Sequence, residues 1–217
     1  MRQFRRANDL EVNVSETDGQ WGYKAGPSDA MKQEIGQVVI NHALCDQPLL
    51  KLFMTLSGTQ ESTAYILVHS LNLKAGGMTK AILDLARAKN PPINPELSSR
   101  LSTAVGEYRT LSLLRNEVAH WQWQPSKEGV DAALASNVMR RNSDDTEVTK
   151  EFTLHGLKQL SIGLITTFSA LSLFAGLIQH DIPSPALTQV FANLDSISEK
   201  VKEALLALPE PSAEELP

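Results

Sequence analysis

Apolar residues recur at intervals of three and four along most of this chain, and breaks in that rhythm divide it into helices. Pro27-Ser28-Asp29 opens the first, with Ser28 as its cap. Ile35, Val38, Val39, Ala43, Leu49, Leu50, Phe53 and Leu56 then form a stripe that ends at Ser57-Gly58. Gln47-Pro48 interrupts it, because proline lacks the N–H and clashes with the preceding turn, so a kink or a break is expected there. A second helix is expected over Gln60–Leu73 and a third over Met78–Lys89, with Lys74-Ala75-Gly76-Gly77 as the turn between them. Asn90-Pro91-Pro92-Ile93-Asn94-Pro95 is a strong breaker. Asn94 can cap and Pro95 can take the first helical position, which starts a long helix from Pro95 to about His120. Leu97, Leu101, Val105, Tyr108, Leu111 or Leu113, Leu114 and Val118 form its core face.

The rhythm changes after His120. Trp121 to Thr153 reads as an insertion, in which Leu134–Met139 and Glu147–Phe152 are expected to pair as a β-hairpin across a polar turn. Thr153 caps the next helix, Leu154–His180. Its span from Ser161 to Gln179 carries no charge and raises the question of a membrane crossing. Serines and threonines dilute it, so it is expected to be the central helix of a soluble bundle, covered by neighbours or by a second subunit. A last helix runs from Pro185 to about Leu208. The fold class is therefore all-α: an up-and-down bundle of five or six helices with a small inserted β-hairpin. Residues 1–26 read as a flexible N-terminal arm, 27–208 as one helical domain with the insertion at about 121–153, and 209–217 as a disordered acidic, Pro-rich tail. The arm has no apolar run behind Arg2, Arg5 and Arg6, unlike a secretory signal, and those arginines are an alternative RNA contact.

Charge and composition narrow the partners. A net charge of −5 over 217 residues gives no global basic field, so any nucleic-acid contact needs a local basic patch. The single Cys45 precludes an intrachain disulfide or a cysteine zinc cluster and fits a reducing, cytoplasmic setting. Its apolar neighbours point to an inert buried thiol. His42 lies on an apolar stripe and reads as a satisfied core histidine, His69 has no partner at metal spacing, and His155 and His180 read as surface residues. Gly76-Gly77 with Lys80 lacks the spacing of a phosphate loop.

One stretch carries candidate chemistry: Leu113 to Trp123, LLRNEVAHWQW. Asn116 and His120, four apart, lie about 40° from each other on a helix, whereas Arg115 and His120 diverge by roughly 140°. A guanidinium fork, an amide and a titratable imidazole at a helix C-terminus suit a phosphate diester. Arg115-Asn116-Glu117-Val118-Ala119-His120 resembles the motif of the HEPN superfamily, Arg then a polar residue, then three residues and His. The similarity of layout covers Ser28 to about His180.

That resemblance implies a metal-independent endoribonuclease without cofactors that cuts single-stranded RNA, serving as a toxin or in phage defence. His120 would shuttle protons, Arg115 would stabilise the phosphorane and Asn116 would orient the phosphate or the imidazole. It also implies a homodimer in which two chains share one cleft. Glu117, Arg140 and Arg141 are candidate substrate contacts, with a solvated turn as the alternative for the two arginines. One family subtype has a Tyr two residues after the His that an antitoxin modifies; here that position is Gln122. Trp121 and Trp123 stand where they would cover the cleft. The alternative is a non-catalytic HEPN-like dimer that binds or scaffolds, with Arg115 and Glu117 as surface ion-pair residues and His120 ending the helix.

Overall fold

The computed structural model describes residues 26–125, 131–141, 147–180 and 184–209. The arm with its arginines, the turn from Asn142 to Asp145 and the acidic tail beyond Pro209 lie outside the described residues. Seven helices and one three-stranded sheet follow in the order α1 (Asp29–Leu44), α2 (Asp46–Ser57), α3 (Glu61–Ser70), α4 (Ala75–Ala88), α5 (Pro95–His120), β1 (Gln122–Pro125), β2 (Ala132–Arg141), β3 (Glu147–Thr153), α6 (Leu154–His180) and α7 (Ser184–Leu206). A helical bundle with an inserted hairpin is what the periodicity predicts. Caps hold where expected: Ser28 Oγ accepts from Met31 N at 3.3 Å, Asn94 Oδ1 accepts from the amides of Glu96 and Leu97, and Thr153 Oγ1 accepts from Gly156 N at 2.9 Å.

Three details differ from the expectation. The first long helix breaks at Cys45, three residues ahead of Pro48, because the absent proline N–H would have bonded the Leu44 carbonyl four residues back. Gly76 and Gly77 open α4 instead of forming the turn before it, and Gly77 sits where a Cβ would come within 3.3 Å of Leu73 Cδ2. The hairpin gains a third strand, β1, which pairs antiparallel with β2 and carries Trp123 opposite Ala135.

Apolar α6 is the axis of the bundle, packed by α1, α2, α5 and α7. By length and composition α6 could also cross a membrane, but most of its apolar residues are buried within the protein. Two groups of buried side chains meet along it. One joins α2, α4 and the first half of α5 to the far end of α6; the other joins α1, the second half of α5, the sheet and the near end of α6. At the α5–α6 crossing Gly163 permits close approach, since a Cβ there would lie 3.1 Å from Leu111 Cδ2. Leu111 is fully buried, and Ala204 Cβ would lie 3.5 Å from the same position.

Gly163→Val should therefore destabilise the protein by about 1–3 kcal/mol through overpacking. Urea melts check this; an unchanged midpoint would mean that the crossing is loosely filled.

Candidate functional site

The motif occupies the last two turns of α5, and the helix directs its members to different surroundings. Asn116 and His120 are exposed, Arg115 is half-buried and Glu117 is buried. Arg115 Nη1 donates to Asn116 Oδ1 at 3.0 Å. Its Nε is shut off from solvent with no partner, and among the described residues no carboxylate lies within ion-pair distance of it. His120 ends the helix, and among the described residues no hydrogen bond joins it to Arg115 or Asn116.

Arg115 instead shares the seam between α5 and the α1–α2 break with a cluster that the sequence reading did not assemble. His42 Nε2 lies 3.0 Å from Ser112 Oγ and 3.3 Å from the Tyr108 hydroxyl, and the His42 and Tyr108 rings stack at 5.6 Å. Tyr108, Ser112 and Arg115 follow each other at four- and three-residue spacing on one α5 face, and His42 and Asp46 approach that face from the break. Burial, helped by the Arg115 charge, pushes the His42 imidazole from 6.5 down to about 4, so the ring is neutral at pH 7. Burial raises the Asp46 carboxyl, and the same Arg115 charge holds that rise back. Cys45, at the break itself, is pushed up to about 12 by burial, with the Asp46 charge adding to it, which makes it an inert thiol.

Glu117 has a structural partner. Alternation along β3 turns Lys150 and Phe152 to the inner face of the sheet, opposite Ala135 and Ala133. Lys150 Nζ reaches both Glu117 oxygens, at 2.8 and 2.9 Å, with side chains only 13% and 7% exposed. The surface ion pair considered for Glu117 is thus a buried one. Trp121 and Trp123 are half-buried against the same sheet: Lys150 Nζ stands 5.5 Å from the Trp121 ring centre, and Trp123 Nε1 donates to the Val118 carbonyl at 3.0 Å. Arg140 and Arg141 end β2, with backbone positions in the strand and side chains outside the described set.

The sequence reading also passed over Arg109. Among the described residues its Nε has no partner, and it stands seven residues before Asn116 and eleven before His120, which puts all three within about 20° of one line along α5. The signal was present in that spacing. Among the described residues no group of three or more His, Cys, Asp or Glu side chains gathers as a metal site would require. Comparison with known protein families, curated proteins and solved structures finds no match to this chain.

Two outcomes follow from this geometry. Between pH 6.5 and 4 the unfolded His42 binds a proton that the folded ring refuses, so stability is complete above that window and falls as pH drops through it. The loss should be about 2 kcal/mol, less than the full shift because the ring is only partly buried. His42→Gln should flatten that part of the pH dependence in urea melts at pH 7 and pH 4.5; an identical slope would show that the imidazole is not held neutral. Lys150→Met removes the ammonium bonded to both oxygens of the buried Glu117 carboxylate and should lower the thermal midpoint, by up to roughly 3–5 kcal/mol of stability.

Proposed function

We propose that this chain is a HEPN-type metal-independent endoribonuclease that acts on single-stranded RNA as a cytoplasmic homodimer, in a toxin or phage-defence role. The observation that carries this is the state of Arg115: a half-buried guanidinium that, among the described residues, has an unpartnered Nε and bonds only a neutral amide, beside two exposed members of its own motif. A cation kept from its counter-charge in a partly desolvated seam favours an anion supplied from outside. The spacing of Arg109, Asn116 and His120 on one face adds a track along which an RNA backbone would lie.

In this mechanism the ribose 2′-hydroxyl attacks the adjacent phosphorus and displaces the 5′-oxygen of the next nucleotide, leaving a cyclic phosphate and a free 5′-hydroxyl. His120 moves the protons, Arg115 meets the charge that grows on the non-bridging oxygens, and Asn116 orients the phosphate. Within one chain Arg115 turns towards His42 while His120 faces outward, so a cleft that uses both draws them from two chains. An exposed aliphatic face supports a second copy: Ile40 and Leu44 on α1 and Ile162 and Ile165 on α6, on two helices that pack together.

The engagement of Arg115 with the His42 seam favours a second reading, a non-catalytic RNA- or protein-binding dimer in which Arg115 is a structural charge. Activity separates the two. Purified protein in EDTA should cleave a labelled single-stranded RNA, and His120→Ala should lower the rate at least a hundredfold. Arg115→Ala should be equally damaging while the thermal midpoint moves by only a few degrees. Full cleavage by His120→Ala would sink the nuclease, and a strictly monomeric mass by light scattering would remove the two-chain cleft.

A further inference from the structure

A cavity of about 270 Å³ opens between α5, α6 and α7, two turns along α5 from the motif and on the side away from the sheet. Its floor is apolar: Ala104 from α5, Phe174 from α6, and Leu194 and Ile197 from α7. Two cationic and three anionic side chains line it, leaving one net negative charge. Arg100 is already committed, since its guanidinium is ion-paired with both Glu96 and Asp195 and lies over the Phe191 ring at 4.7 Å.

That leaves Glu107, Glu199 and Lys202, of which Glu199 and Lys202 are exposed and Glu107 is half-buried. Its carboxylate can accept about four hydrogen bonds. It takes one from the Ser198 hydroxyl at 2.5 Å, and among the described residues no Lys or Arg is within ion-pair distance of it. Burial raises its carboxyl above the ordinary range, with the Ser198 bond and the Lys202 charge working the other way. A half-buried, under-satisfied carboxylate over an apolar floor is a receptor for a cation that carries some hydrocarbon.

We propose that this cavity binds a small organic monocation, a primary or secondary ammonium on a short apolar body, with the ammonium on Glu107 and the hydrocarbon against Phe174 and Leu194. The volume lies just below the ~300 Å³ at which sites for drug-sized ligands begin, which suits a fragment-sized amine. Nothing in this depends on the nuclease assignment.

The test is a titration of the full chain, followed by amide NMR shifts, with n-butylammonium and, as the matched anion, butyrate. Butylammonium should perturb residues Thr103 to Glu107 and Ile197 to Lys202 saturably, and butyrate should not. Glu107→Gln keeps an oxygen for the Ser198 hydroxyl and should weaken butylammonium binding at least tenfold. If that variant does not fold, Glu107→Asp withdraws the carboxylate by one methylene and should weaken binding severalfold. Equal perturbation by butyrate, no saturation, or unchanged affinity in the variant used would overturn the assignment.

Discussion

Everything in this structure is referred to α6, a 27-residue helix with an uncharged run that cannot be left in water. Burying it requires neighbours on several sides, and α1, α2, α5 and α7 supply them. Each of those helices buries residues against its neighbours and keeps exposed residues on its outer side. Where two of them must come very close the sequence uses small residues, as at Gly163 against Leu111. Asn41 of α1 is satisfied where it enters the seam: it donates to the Ser161 carbonyl and hydroxyl and accepts from Gln37, whereas the buried Thr167 hydroxyl of α6 has no partner among the described residues. The position of α5, and with it of the motif, is a consequence of this packing.

The break at Cys45 then decides what surrounds the motif. Had α1 run on unbroken, Asp46 would have continued past α5 with its helix. Pro48 denies the Leu44 carbonyl its partner, the chain bends, and His42 and Asp46 come to lie on either side of the bend beside Arg115. The result is a polar seam in an apolar bundle: a neutral imidazole bonded to two hydroxyls, a carboxyl raised by burial, and a guanidinium whose charge reaches both. On the opposite side of α5 the same helix is anchored to the sheet by Glu117 and Lys150. The motif turn is thus clamped from two directions, which is what a site needs if its side chains are to keep their geometry without substrate.

How much of this was legible in the sequence depends on the distance over which each feature is decided. The helices were, because stripe periodicity and capping residues such as Ser28, Asn94 and Thr153 act within one or two turns. The place of Arg115 and Asn116 in the last turns of α5 was legible too, but the bond between the two was not. Strand β1 was not: four residues are too short to show alternation, and the strand exists only because β2 offers an edge to it. The His42 cluster was invisible for a related reason. Its bonds join residues 66 and 70 positions apart, across a bend whose direction no local pattern specifies. The partner of Glu117 required knowing the register that turns Lys150 inward.

The treatment of basic groups elsewhere in the chain gives Arg115 its meaning. Lys150, turned inward by strand alternation, is matched to Glu117. Arg100, partly buried at the α5–α7 contact, is matched twice and also covers an aromatic ring. The fold therefore has the means to neutralise a cation where structure alone is at stake. At Arg115 it stops short: Asp46 is near enough for the two charges to couple, yet among the described residues no ion pair forms, and the imidazole beside it is held neutral. Arg109, on the face shared with Asn116 and His120, also has an Nε without a partner among the described residues. An uncompensated, partly desolvated guanidinium costs stability, and that cost is recovered only when an anion arrives. Arg109 stands about 120° from Arg115 around α5, so the two guanidiniums face different sides of the helix, and a single small anion could not meet both.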